Sequence, residues 1–169
     1  MIALVTRRLG HVVTSVSATT RAPRPGEEDG VEYHFLERDA FERAVAAGDF
    51  LEWVEYSGSL YGTLRSEIDL KLAAGNDVIL EIELVGARAV RRSLPQAMAI
   101  FIAPPSMEEL GARLRGRATE GEDAIRRRLM RAEEEMAAAA EFDYVVVNDD
   151  AGRAADEVVA LIEGRRKGS

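Results

Sequence analysis

The 169-residue sequence has no cysteine, so it can form neither a disulfide nor a thiolate metal site. No apolar run approaches the ~18 residues of a membrane-crossing helix. The opening Met-Ile-Ala-Leu-Val is shorter than the about 7–15 apolar residues of a secretory signal. A soluble, cytoplasmic protein is the expectation. Positive charge is also scarce: 22 Lys and Arg stand against 30 Asp and Glu, for a net charge of −8. That balance argues against broad binding to nucleic acid or an anionic membrane. An anionic ligand must then be gripped by a local cluster of arginines. The two histidines, His11 and His34, lie too far apart to suggest a metal site, and Trp53 and the phenylalanines are expected in the core. No repeat or linker divides the chain. One domain over 1–169 is expected, long enough to bury roughly 70% of its unfolded surface.

Short apolar runs alternate with helical patterns, which reads as an α/β domain with a mainly parallel sheet. Strands are expected near Val12–Val16, Val78–Glu83, Ala99–Ala103 and Tyr144–Asn148, each apolar enough to be buried on both faces. Helices are expected near Leu64–Ala74, Val85–Ser93, Met107–Arg115, Asp123–Ala140 and Ala155–Arg165. Ser106 with Glu109, Thr119 with Glu122 and Asp39 with Glu42 have the spacing of a capping box. The stretch from Tyr33 to Thr63 is alternating, aromatic and turn-rich, which predicts a small antiparallel insertion with a helix about Asp39–Ala47.

The richest segment is Ser17 to Tyr33. Arg21 and Arg24 lie three apart on a stretch that Pro23 and Pro25 hold extended, with the hydroxyls of Ser17, Thr19 and Thr20 close in sequence. A stiff loop with two guanidinium groups suits a phosphate monoester, because each planar fork can give the dianion two parallel hydrogen bonds. Scattered surface arginines are the plain alternative.

Further runs follow in order. They include Phe-Leu-Glu-Trp (50–53), Tyr-Gly-Thr (61–63), Leu-Glu-Ile-Glu (80–83), Gly-Ala-Arg (86–88), Ile-Ala-Pro-Pro-Ser (102–106), Arg-Leu-Arg-Gly-Arg (113–117) and Val-Val-Asn-Asp-Asp (146–150). Together with Ser17–Glu27 they resemble the guanylate kinase family, P-loop enzymes that move a phosphoryl group from ATP to GMP. The resemblance implies a three-layer, P-loop kinase-like fold with a GMP-binding region over roughly 17–75 and a helical lid over roughly 113–130. It also implies ATP as donor, with Mg²⁺.

By this resemblance Arg21 and Arg24 grip the GMP phosphate, while Tyr33 and Tyr61 donate hydroxyl hydrogen bonds. Glu52 sits in an apolar run where a free carboxylate is costly. A carboxylate only accepts, and guanine offers N1–H and a 2-amino group side by side, which adenine does not. A Glu facing the purine edge therefore selects guanine; a wet strand face is the bland alternative. Ser17 and Thr63 match positions that complete the guanine contacts. Glu81 and Glu83, two apart on a strand, share a face at its C-terminal end, where ligands collect in open α/β sheets. The resemblance sends Glu83 toward the base or ribose and Glu81 toward the metal–phosphate centre. Arg113, Arg117 and Arg128 resemble catalytic lid arginines that close over the ATP phosphates, although Arg126–Arg128 also read as a solvated helix face. Asn148 matches a position near the adenine ring; a strand-end turn is the other reading.

One departure matters. The family opens with a strand and a Gly-x-x-x-x-Gly-Lys-Ser/Thr loop, and no such run occurs in this sequence. Met1–Leu9 resembles the helix that follows that loop. A strand of about 5–6 residues and its loop are missing, roughly 15–20 residues with a leader. That loop supplies the phosphate-cradling N–H groups, a Lys and the hydroxyl on Mg²⁺. The polypeptide of this sequence is therefore expected to be a poor kinase and, without a central strand, less stable. Two further readings remain: a GMP sensor without catalysis, and a kinase-like module that binds peptides.

Overall fold

Among the described residues the alternating pattern resolves into seven helices and eight strands. The computed structural model describes residues 1–116 and 121–168. The chain starts with α1 (Ile2–Arg8), β1 (Val12–Thr14), β2 (Ala18–Thr19), β3 (His34–Phe35), α2 (Arg38–Ala47), β4 (Phe50–Tyr56) and β5 (Ser59–Leu64). It continues with α3 (Arg65–Ala73), β6 (Asp77–Ile79), α4 (Leu84–Ser93), β7 (Ile100–Ala103) and α5 (Met107–Gly116). The last elements are α6 (Glu122–Ala137), a 3₁₀ turn at Ala139–Glu141, β8 (Tyr144–Val147) and α7 (Ala151–Lys167). Two compact units emerge: Leu9–Ala97, and Met1–Arg8 with Met98–Ser169.

In the Leu9–Ala97 unit, β1 and β6 pair in parallel with Val12 opposite Asp77 and Thr14 opposite Ile79. The insertion is a four-stranded sheet of order β3-β2-β5-β4. It is mixed rather than wholly antiparallel, because β2 runs parallel to β3 and antiparallel to β5. The β4–β5 hairpin turns at Ser57 and Gly58, which both have positive φ (51° and 81°). That is the two-residue turn whose twist matches the flanking strands.

Irregular pairing in β4 determines what the strand presents. Phe50 lies opposite Leu64 but Glu52 opposite Thr63, so the register slips at Leu51. Strict alternation would place Phe50 and Glu52 on one face. Instead Phe50 packs with Ala18, Phe41 and Leu60, its ring stacked 4.2 Å from Phe41, while Leu51 packs with Ile68 and Val90. Glu52 also turns toward α4, where its carboxylate meets Gly86. A bulge of this kind re-aims a side chain.

In the other unit β7 and β8 pair in parallel from Ile100–Tyr144 to Ala103–Val147. α1 packs on α7, and Arg8 donates to Asp156 (2.6 Å) and to the Gly152 carbonyl (3.2 Å). Asp150 caps α7 by accepting from the N–H groups of Gly152 and Arg153, each at 2.9 Å.

Several expectations need correction. The strand expected over Val78–Glu83 stops at Ile79, because its partner β1 ends at Thr14 and only the Ser15 N–H still reaches the Ile79 carbonyl (3.0 Å). Burial on both faces is not found for β8, whose Tyr144, Val145 and Val147 are exposed, since it belongs to a two-stranded sheet. Trp53 is 46% exposed rather than in the core. The Ser106 cap forms, with the Glu109 N–H donating to Ser106 Oγ at 3.1 Å. The Asp39 cap does not: α2 begins at Arg38 with Glu37 at its cap position, so Asp39 lies in the first turn, where its charge favours the helix N-terminus. Thr119 lies outside the described residues.

Candidate functional site

β4 and β5 form one wall of a cleft of about 270 Å³ inside the Leu9–Ala97 unit. Along β4 every second side chain faces it: Glu52 deep, then Val54, then Tyr56. Tyr61 comes from β5, Ser17 and Tyr33 flank the insertion sheet, and Glu81, Glu83 and Gly86 come from the segment entering α4. Six expected GMP contacts, Ser17, Tyr33, Glu52, Tyr61, Glu81 and Glu83, therefore line one cavity. Thr63 lies beneath it, fully buried, and its hydroxyl donates to Glu52 Oε1 at 2.7 Å.

Glu52 is 6% exposed and dominates the electrostatics of this end. Burial pushes its carboxyl above the ordinary value; the Thr63 hydroxyl and N–H oppose that, and the neighbouring Glu83 charge adds to it. Glu81 and Glu83 differ from the sequence expectation. Both are exposed and lie on the loop after β6, with Glu83 at the cap position of α4. They reach the cleft without being buried strand-end carboxylates.

Close backbone approach explains Gly62. A Cβ there would meet the Glu52 carbonyl oxygen at 2.7 Å, Phe50 Cδ1 at 2.8 Å and Trp53 Cβ at 2.9 Å. Only glycine lets β5 lie this close to β4 at the Glu52 position.

Arg21 and Arg24 do not line the cleft; Arg21 stands beside Tyr33, which does, and is already engaged. The Arg21 guanidinium lies 5.4 Å from the Tyr33 ring centroid and 5.9 Å from that of Phe35. Arg21 Nη2 donates to Glu27 Oε1 at 2.9 Å and Nη1 to the Ala22 carbonyl at 2.7 Å. The second Glu27 oxygen accepts the Arg24 backbone N–H at 2.7 Å. Glu27 raises the Arg21 pKa, with Tyr61 adding to it. In return the Arg21 guanidinium, then the Arg24 N–H, hold the Glu27 carboxyl below its ordinary value. Arg21 thus donates to Ala22 and Glu27 within the loop and also to Tyr61, which still leaves some of its five N–H donors for a ligand. The Arg24 side chain is exposed to solvent beside them.

The loop is anchored from below by Glu67 of α3. Its carboxylate accepts the Val16 N–H at 2.9 Å and pairs with Lys71, and His34 Nε2 lies 3.6 Å away. Burial pushes the Glu67 carboxyl up, but Lys71, the Val16 N–H and His34 outweigh it and hold it low. Lys71 Nζ also donates to the Thr14 carbonyl at 2.8 Å.

The family model for guanylate kinase matches residues 2–165. The chain belongs to the guanylate kinase family. Among its relatives, the guanylate kinase of Rubrobacter xylanophilus is 58% identical over 148 residues, covering 88% of this chain and 78% of that protein. That of Frankia casuarinae is 53% identical over 164 residues, covering 97% and 89%. The crystal structure of guanylate kinase from Anaplasma phagocytophilum matches with a TM-score of 0.76 at 32% identity, over 96% of this chain and 80% of that one. The mixed α/β fold with parallel strand pairs is accordingly a guanylate kinase fold.

The remaining residues expected at the site belong to the other unit, apart from Arg117, which lies outside the described residues. Arg113 donates to the Asn148 carbonyl (2.9 Å), the Asp149 carbonyl (3.3 Å) and Glu109 (2.6 Å), joining α5 to the turn after β8. Arg113 and Asn148 are thereby brought together. Arg128 lies exposed on α6. Sequence reasoning assigned no role to Glu27, Glu67 or Gly86. The signal for Glu27 was available: an acid three and six residues after two arginines on a proline-stiffened loop. Glu67 and Gly86 carry no such local mark, since their partners are distant in sequence.

Proposed function

We propose that this protein binds GMP in the cleft and transfers a phosphoryl group to it from ATP, giving GDP and ADP, as a cytoplasmic enzyme of purine nucleotide metabolism. The observation that carries this reading is the buried Glu52 carboxylate in a cavity that Tyr33 and Tyr61 also line, with the Arg21 guanidinium against the Tyr33 ring. An ionised Glu52 accepts from guanine N1–H and the 2-amino group; the Thr63 hydroxyl holds one oxygen in place, and Ser17 completes the edge. Arg21, Arg24, Tyr33 and Tyr61 take the phosphate, and Glu83 takes the ribose side. The family match over 2–165 supports treating 1–169 as one domain.

ATP and Mg²⁺ belong to the same reading. Magnesium usually takes one or two carboxylates together with nucleotide phosphate oxygens, and Glu81, exposed at the cleft, would lie close to the metal–phosphate centre. When bound, the metal neutralises charge on the transferring group. Arg113, Arg117 and Arg128 keep the role of phosphate-side arginines, and Asn148 that of an adenine neighbour. The sequence holds no Gly-x-x-x-x-Gly-Lys-Ser/Thr run, so this polypeptide alone is expected to bind GMP well and turn over slowly. The alternative reading is a GMP-binding protein without turnover. A peptide-binding module is less favoured, because the nucleotide-gripping residues remain.

Calorimetry with GMP, AMP and guanosine tests the site. Binding of GMP well above both others supports the reading, and equal affinity for GMP and AMP rejects it. A coupled ATP/GMP assay then separates the kinase from the silent binder.

A further inference from the structure

We infer that Gly86 is a specificity-determining position, whose missing side chain lets the Glu52 carboxylate stand at the guanine end of the cleft. The inference rests on the GMP reading above. A Cβ at Gly86 would lie 2.8 Å from Glu52 Oε2, 3.3 Å from the Glu52 carboxyl carbon and 3.3 Å from Ile82 Cβ. The first distance is well inside van der Waals contact, so something must move.

What moves is decided by stiffness. Gly86 lies in the first turn of α4 with an ordinary helical backbone, which any residue could adopt. Glycine is a poor helix former beside alanine, so local propensity gives no reason for it there. The nearest obstacle is the tip of a side chain rather than main chain, in contrast to Gly62. A methyl group at 86 therefore displaces the carboxylate first, while Ile82 Cβ, at 3.3 Å, has to give by only a few tenths of an ångström. Glu52 Oε1 is tethered to the Thr63 hydroxyl at 2.7 Å, so the free oxygen swings away from the plane needed to meet N1–H and the 2-amino group together. The three atoms nearest that methyl group belong to Glu52 and Ile82, none of them to Arg21 or Tyr33.

Gly86→Ala acts through Glu52, so Gly86 is a positioning residue and not a catalytic one. The test compares GMP with inosine monophosphate, which lacks only the 2-amino group, by calorimetry on both proteins, with a thermal melt as the fold control. Gly86→Ala is expected to melt no lower than the parent and to bind GMP at least about tenfold more weakly, with the GMP-to-inosine-monophosphate ratio falling toward one. Unchanged affinity and ratio in the variant overturn the inference. So does an equal loss for both nucleotides, or a variant that fails to fold, because the methyl group would then have displaced the main chain. A parent protein with no preference for GMP defeats the GMP reading instead, so the two failures are distinguishable.

Discussion

Glu52 is an acid held where water barely reaches it, and that placement sets opposite demands on stability and binding. Its folded-state pKa is raised, so its contribution to stability is full below the ordinary carboxylate value and is lost as pH rises through the raised one. Unliganded Glu52→Gln is therefore expected to melt no lower than the parent at neutral pH, while GMP binding falls by about 100-fold or more. Arg65 provides the contrast: it donates to the Gly48 carbonyl at 3.2 Å on the surface, and its replacement should change GMP affinity little by comparison. On the proposed GMP reading, binding needs the ionised acid. GMP affinity in the parent is expected to fall on acidification through the raised Glu52 value, and Glu52→Gln should lack that step in a calorimetric pH series. Glu67 works in the other direction: its depressed carboxyl adds stability above the ordinary carboxylate value, and that is lost as pH falls through the depressed one.

At the level of elements, the β4–β5 hairpin carries the site. Gly62→Ala forces a methyl group against the Glu52 carbonyl and the Trp53 Cβ, which are rigid, so the strands must part. A loss of ~1–3 kcal/mol in urea unfolding is expected, together with weaker GMP binding; an unchanged midpoint would refute the tight approach. The sequence made much of this hairpin legible, because alternation, aromatics and the turn glycines Gly58 and Gly62 all lie within Tyr33–Thr63. Glu52 stood out as one charge in an apolar run. The slip at Leu51 was not readable, since alternation assumes regular pairing and a bulge appears only when two strands are laid side by side. The end of β6 was hidden for a similar reason: strand length is set by the partner, and β1 offers only three residues. The sequence marked the arginine loop as a stiff pair of guanidinium groups, but the Glu27 brace and the Glu67 anchor depend on folding that brings distant groups together.

For the whole molecule, fold and family were readable because ordered motifs run the length of the chain, and the match over 2–165 bears them out. Activity is the larger question. Adding an upstream strand with a Gly-x-x-x-x-Gly-Lys-Ser loop ahead of Met1 is expected to raise ATP/GMP turnover about 10²-fold or more and to raise the melting temperature. Equal rates for the two polypeptides in the coupled assay would show that the phosphate cradle is supplied in another way. The Arg21–Glu27 pair has its own consequence at this scale. With a net charge of −8 and its inner arginine already matched by an acid, the protein's overall charge opposes a dianionic nucleotide at long range. Moderate ionic strength, by masking that repulsion, should hasten encounter even as it loosens the final grip.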